Sequence, residues 1–263
     1  MRPETEAELA EMLRGANGPL SVRGGATRHM PGAGEALTTA GLSGITLYEP
    51  GALTLVARAG TPMAEIEEAL AAEGQRLPFE PMDHRPLLGT DGTPTIGGAV
   101  AMNVSGPRRV TVGACRDSLI GVRFVDGTGM VVKNGGRVMK NVTGYDLARL
   151  MAGARGALGV LSEVGVKVLP AAATQTTLMV PDLSVEDAVR AMSAGLTSPF
   201  EVTGAAHDPG RRETWLRIEG LEGSVDYRAG ELARRLAPFG PASRLDPDTS
   251  DALWADIRDA RVM

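Results

Sequence analysis

With 263 residues, 43% of them hydrophobic, the chain can bury a substantial core as one large domain or two small ones. A net charge of −5 and an isoelectric point near 5.4 exclude the basic face that nucleic-acid domains present, so no nucleic-acid partner is expected. No run of about 18 apolar residues exists to span a membrane, and a leader-like apolar block is missing from the N-terminus, which carries Glu4, Glu6, Glu8 and Glu11. A cytoplasmic location is expected.

The first predicted element is a helix over Glu6 to Arg14, with Thr5 as N-cap and Glu8 completing a capping box. Strands are predicted at Leu20 to Arg23, Ile45 to Tyr48 and Leu53 to Ala59. A helix follows from Pro62 to Glu73, capped by Thr61 and stopped by Gly74. Leu77 to Pro94 is punctuated by proline and reads as an extended loop. A short helix opens at Ile96, runs to Asn103 and ends before Gly106-Pro107. Leu119 to Val125 and Met130 to Lys133 flank Asp126-Gly127-Thr128-Gly129, a hairpin signal. A helix near Tyr145 to Ala152 precedes Leu158 to Leu169, where Val164, Val166 and Val168 alternate with Gly165 and Lys167 as in a half-exposed strand.

Beyond Pro170 the order is strand (Thr176 to Val180), helix (Val185 to Ala194), strand (Glu201 to Ala206), strand (Thr214 to Glu219) and helix (Val225 to Ala237). This β-α-β-β-α pattern is one strand short of a ferredoxin-like unit. The chain is therefore expected to form an α+β domain over residues 1–170 and a short, incomplete cap over residues 171–263.

Two glycine-rich loops carry the chemistry. Arg23-Gly24-Gly25-Ala26-Thr27 follows a strand, and Thr95-Ile96-Gly97-Gly98 opens a helix. Glycine lets backbone N–H groups approach a phosphate diester closely, and a helix N-terminus aimed at an anion would add to the grip. The pair reads as a two-loop hold on a dinucleotide. No G-x-x-x-x-G-K-[ST] run is present, and Gly32 to Leu37 and Gly153 to Gly159 both miss the Rossmann fingerprint. The single Cys115 permits no internal disulfide, and His29, His84 and His207 lack metal-ligand spacing, so no metal is expected.

These loops, Gly113-Ala114-Cys115-Arg116-Asp117, the string Gly135-Gly136-Arg137-Val138-Met139-Lys140-Asn141-Val142-Thr143-Gly144-Tyr145-Asp146-Leu147, and Gly156-Ala157-Leu158-Gly159-Val160-Leu161 resemble the FAD-binding oxidoreductases of the vanillyl-alcohol oxidase type, with a PCMH-type FAD-binding fold. Within that family the string is most similar to the smaller flavin subunit of bacterial glycolate oxidases. The resemblance covers roughly residues 5 to 170.

It implies FAD stretched between two α/β subdomains and oxidation of a small 2-hydroxy acid to a 2-oxo acid. The implied partners are a larger flavin subunit and an iron–sulfur subunit of a glycolate oxidase complex, through which the chain would be peripheral to the inner membrane. Carried onto this chain, Gly24, Gly25, Ala26 and Thr27 would donate backbone hydrogen bonds to phosphate, and Gly97 and Gly98, next to Thr95, would cradle its other side. Gly159 and Val160 would lie near the ribityl or adenine part. Arg23 and Arg28 read either as charge partners or as solvated loop residues. Thr90, Asn103 and Gly106 complete the expected cofactor-binding set.

Thr27 stands where covalent relatives often place a linking histidine, and Cys115 is not at the cysteinyl position, so noncovalent FAD is expected. Tyr145-Asp146 has a structural reading, a buried tyrosine hydroxyl held by a carboxylate at a helix start. No catalytic base is apparent; His29 beside the first loop is a weak candidate. A non-catalytic FAD-binding or scaffold subunit that supports a larger flavin subunit is the alternative.

Overall fold

A computed structural model describes residues 1–28, 32–136 and 144–261. The chain divides into two compact units, Met1–Ser105 with Ala114–Ala171, and Gly106–Gly113 with the chain from Ala172 onward.

The first unit is built on a five-stranded antiparallel sheet in the order Ile45–Glu49, Thr54–Arg58, Val160–Lys167, Leu119–Val125, Val131–Gly135. Val160–Lys167 lies at its centre, so its valines are buried and the strand is far less exposed than its alternation suggested. Helices Met63–Ala72, Ile96–Ala101 and Leu147–Met151 bury Ile66, Leu70, Ile96, Val100 and Met151 against Leu55, Val122, Val164 and Val166.

The helix Glu6–Arg14 packs Leu9 and Leu13 with Leu37, Val125 and Val160. Thr5 caps it by accepting the Glu8 N–H at 3.2 Å, while the Glu8 carboxylate accepts the Glu4 N–H at 2.8 Å. Glu6 fastens this helix to the sheet through Arg123 and through the Ser162 hydroxyl at 2.6 Å. The Arg123 hydrogen bond, opposed by burial and aided by Ser162, holds the Glu6 carboxyl below its ordinary value of 4.5.

Two differences from expectation concern short elements. Thr61 does not cap its helix; Pro62 takes that position, and the Thr61 hydroxyl donates to the Arg58 carbonyl at 2.7 Å and accepts the Gly44 N–H at 2.9 Å. Within Leu77 to Pro94 the chain makes a helical turn, Arg85–Leu88, closed by Gly89 at φ 61°.

The second unit corrects the expectation of a cap lacking one strand. A fourth strand, Ser243–Leu245, pairs antiparallel with Thr177, Leu178 and Met179. The sheet order is Val202–Asp208, Glu213–Gly220, Thr174–Val180, Ser243–Leu245, so the unit is a complete β-α-β-β-α-β arrangement. Three residues, Ser-Arg-Leu, carry no period-2 hydrophobic pattern and leave no signal in the sequence.

One sheet face is apolar, with Leu178, Val180, Leu216 and Ile218 against Ala188 and Ala191 of helix Val185–Leu196 and Leu232 of helix Glu222–Leu236. Alternate residues point the other way, and that face is polar. Arg217, 1% exposed, lies over the Trp254 ring at 4.6 Å and donates to the Thr203 hydroxyl at 3.1 Å. Trp254, from helix Pro247–Arg258, donates to the Thr177 hydroxyl at 2.8 Å.

Segment Gly106–Gly113 joins this unit through Arg108, whose Nε and Nη2 grip the Glu219 carboxylate at 2.9–3.1 Å. The base of the excursion is stitched within the first unit. There the Asn103 side chain accepts the Arg116 N–H at 3.0 Å and the Ser105 hydroxyl accepts the Cys115 N–H at 3.1 Å.

Breaking one partner of a buried ion pair leaves an uncompensated charge. Glu219→Gln is expected to destabilise the second unit by about 3 kcal/mol, measured as a lower urea midpoint; an unchanged midpoint would show that the pair contributes nothing. A second test concerns acid. The depressed Glu6 carboxyl contributes stability that is present above its unfolded value of 4.5 and lost as pH falls through the folded value. The stability gap between the wild type and Glu6→Gln should therefore shrink as pH drops below that value, and a gap constant with pH would contradict it.

Candidate functional site

In the first unit the strand Leu20–Arg23 pairs in parallel with Glu35–Thr38, an element not foreseen, and the first glycine loop leaves the end of that strand. The two glycine loops lie directly against each other. The Thr93 N–H donates to the Gly25 carbonyl at 2.8 Å, and a Cβ on Gly25 would land on the Thr93 carbonyl oxygen. A Cβ on Gly24 would stand 2.7 Å from the Thr95 hydroxyl. Thr38, which no sequence motif marks, anchors the same loop by donating to the Gly24 carbonyl at 2.9 Å. Thr90 does the same for the Thr27 carbonyl at 2.9 Å. Gly25 is required by close backbone approach and Gly24 by the nearby Thr95 side chain, so the contact that requires both is the opposing loop.

The N–H groups of Gly25, Ala26, Thr27 and Arg28 donate to no group among the described residues. Ala26 adopts the left-handed region at φ 58°, rare for a residue with a side chain. Successive free N–H groups at such a turn form a concavity suited to an anion. Arg28 borders it. Its Nη1 donates to the Gly98 carbonyl at 3.2 Å, its Nε is buried without a partner, and burial pushes its pKa down. A left-handed turn of free N–H groups, held in place by close-packed glycines and with an orphaned cationic N–H at its rim, fits a phosphate-bearing cofactor.

The second loop behaves differently from expectation. The helix Ile96–Ala101 has no N–H to offer at its start. Ile96 donates to the Thr61 carbonyl at 3.0 Å, Gly97 to the Ala59 carbonyl at 2.8 Å, and Gly98 to its own cap, the Thr95 hydroxyl, at 3.3 Å. A Cβ on Gly97 would meet Ala59 at 2.6 Å, so this glycine serves packing. The second loop supports the first rather than offering a helix terminus.

The remaining expected residues scatter. Arg23 is exposed, with Nε 3.4 Å from the Ser21 hydroxyl. Asn103, at φ 51°, is engaged in the stitch to Arg116, and Gly106 belongs to the second unit. Val160 is a core residue paired with Val125, and a Cβ on Gly159 would stand 2.7 Å from the Val125 carbonyl oxygen.

Tyr145 is 89% exposed, which overturns its reading as a buried hydroxyl; Asp146 does start the helix, accepting the Arg149 N–H at 3.0 Å. Cys115 is buried and its thiol is pushed up to about 12, so it offers no thiolate at neutral pH. His29 and the Arg137 to Thr143 string lie outside the described residues. Among the described residues no group of histidine, cysteine or carboxylate side chains is placed to hold a metal, and no helix is long and apolar enough to cross a membrane.

Comparison with known proteins decides the family. Residues 1–135 match the FAD-binding domain family. The chain belongs to that family. It is 39% identical over 79% of its length to glycolate oxidase subunit GlcE of Escherichia coli (strain K12). It is 27% identical over 72% of its length to D-lactate dehydrogenase of Archaeoglobus fulgidus. The chain spans 57% of the first relative and 42% of the second. Among solved structures, an alkyldihydroxyacetonephosphate synthase superposes with a TM-score of 0.75 at 17% identity, over 99% of this chain and 54% of that one. That likeness establishes a shared fold, in agreement with the α+β, PCMH-type expectation.

The geometry ranks the glycines. Gly25→Ala has no space for its methyl group, whereas at Gly98 a Cβ meets only the Thr95 hydroxyl at 3.1 Å and Arg28 Nη1 at 3.7 Å. Gly25→Ala is expected to cost about 2–4 kcal/mol by forcing the loops apart, and Gly98→Ala less than about 1 kcal/mol. Thermal unfolding of the two variants checks the order, and equal losses would show that the loops are not held by this contact.

Proposed function

We propose that this chain is the FAD-binding subunit of a 2-hydroxy-acid oxidase complex of the glycolate oxidase kind. The observation that carries the reading is the run of four N–H groups, Gly25 to Arg28, uncommitted among the described residues and fixed at a left-handed turn by the opposing loop. The similarity to a glycolate oxidase subunit and to a D-lactate dehydrogenase supports the substrate class.

In this reading the part over residues 1–170 binds the cofactor and the part over residues 171–263 is the cap. Gly24, Gly25, Ala26, Thr27 and Arg28 hold the diphosphate, Thr90 and Thr95 brace the loops, and Gly97 and Gly98 allow their approach. Oxidation of a 2-hydroxy acid removes a hydride equivalent from the carbinol carbon and a proton from the hydroxyl, leaving a 2-oxo acid. FAD, when bound, supplies the two-electron acceptor.

The partners in this reading are a larger flavin subunit and an iron–sulfur subunit. A third relative, 31% identical over 54% of this chain, is glycolate oxidase subunit GlcD of Bacillus subtilis, which supports a multi-subunit assembly. The cap has its fourth strand, so the partner reading rests on these relatives.

The reading predicts a yellow protein whose colour moves to the supernatant on acid precipitation, because Thr27 offers no linking group and Cys115 is a buried thiol. Colour held in the pellet would mean a covalent flavin. The flavin-loaded chain alone should be bleached slowly by glycolate or D-lactate, below about one per second, and faster in the assembled complex. Bleaching by neither acid in either state would instead favour an FAD-binding scaffold.

A further inference from the structure

A half-buried cation with one buried N–H that finds no acceptor is an unfavourable arrangement in a folded chain. Arg28 is held in that way. Among the described residues it has no carboxylate partner, its Nη1 reaches the Gly98 carbonyl at 3.2 Å, and its Nε is shut from solvent with nothing to donate to. It remains charged at neutral pH despite burial. The chain around it carries a net charge of −5, so a cation left without an acidic neighbour stands out.

The donors usually available to a bound anion are missing on the opposite side. The first three N–H groups of Ile96–Ala101 are consumed by Thr61, Ala59 and Thr95, so that helix contributes no hydrogen bond. A diphosphate seated on the Gly25 to Arg28 N–H groups would lie beside the guanidinium that follows directly in the chain.

We infer that Arg28 is the dedicated counter-charge of a nucleotide diphosphate bound on the first glycine loop, with its Nε donating to a phosphate oxygen while Nη1 stays on the Gly98 carbonyl. The inference rests on the FAD reading above and adds to it. It gives the site its affinity for the diphosphate, as distinct from the flavin ring, and it makes Gly98 the residue that aims the guanidinium rather than one that touches phosphate. Any ligand with the same diphosphate chemistry, ADP or inorganic pyrophosphate, is recognised through the same group.

The test is calorimetric titration of the full chain, stripped of flavin, with FAD, ADP and inorganic pyrophosphate, for the wild type, Arg28→Met and Arg28→Lys, at low and high salt. Each protein's melting temperature is read with and without FAD. A charge-assisted hydrogen bond of about 1.5–3 kcal/mol corresponds to roughly 10- to 100-fold in affinity.

Arg28→Met should weaken FAD and ADP in parallel by that factor and flatten the salt dependence. It should not lower the melting temperature of the flavin-free protein, because it removes an uncompensated charge. Arg28→Lys should fall between the two. FAD affinity within twofold of wild type in a folded Arg28→Met overturns the inference, as does a lower flavin-free melting temperature with ADP binding unchanged. If Arg28→Met does not fold, Arg28→Lys decides: a several-fold loss for both FAD and ADP supports the role, and unchanged affinity overturns it. A wild-type chain that binds neither FAD nor ADP would sink the cofactor reading itself, a result the wild-type titration alone reveals.

Discussion

The hydrogen bond from the Thr93 N–H to the Gly25 carbonyl, with Gly25 too close to Thr93 to carry a side chain, is the constraint on which the candidate site depends. It fixes the first loop from one side while Thr38 and Thr90 fix it from others through the Gly24 and Thr27 carbonyls. All these contacts use carbonyl oxygens. The loop's acceptors are spent on holding it in place, and its donors from Gly25 to Arg28 are left free among the described residues. In the proposed reading that division makes the loop an anion site, because free N–H groups kept in one orientation need no reorganisation when a charged ligand arrives.

The second unit solves a different problem with the same economy of residues. Its sheet carries an apolar face for two helices and a polar face on which Arg217, Glu219, Thr177 and Trp254 satisfy one another. Burying charge on a sheet face is costly, and it is tolerated here because the guanidinium of Arg217 is both stacked and hydrogen-bonded. Glu219 then serves two arginines, one on its own strand and one, Arg108, from a segment that interrupts the first unit. That segment is bounded by Gly106 and Gly113 at φ 72° and 81°, conformations that let the chain leave and return sharply.

Much of this was legible in the sequence where a local rule was strong. The Thr5 cap of Glu6–Arg14, the hairpin around Asp126 and the bulk of helices Val185–Leu196 and Glu222–Leu236 follow from capping, turn chemistry and periodicity, although the last begins three residues before the expected Val225 and the Glu8 carboxylate takes the Glu4 N–H rather than that of its cap. The first glycine loop was also legible, because two adjacent glycines leaving a strand end point to a close backbone approach. What was hidden depended on partners distant in sequence. Ser243–Leu245 is a strand only because Thr177 to Met179 offers it an edge, and Glu35–Thr38 only because Leu20–Arg23 does. Tyr145 misled for the same reason: aromatic character argues burial, but nothing in the described fold covers the ring.

The helix Ile96–Ala101 shows why a motif has to be followed to its individual donors. Glycines at a helix start, after a threonine cap, are what an anion-binding terminus looks like in sequence. A terminus binds an anion only with N–H groups that the fold has left over, and each buried backbone group must be paired somewhere. Here the adjoining strand end supplies the Ala59 and Thr61 carbonyls, and Thr95 supplies its own hydroxyl, so the three leading donors are already matched. The same accounting applied to the first loop returns the opposite answer, with four consecutive donors unmatched among the described residues and an arginine beside them. Two sequences that look alike as glycine-rich turns thus divide into one whose leading donors are matched and one whose donors are unmatched among the described residues, and the difference lies in where their hydrogen bonds go rather than in their composition.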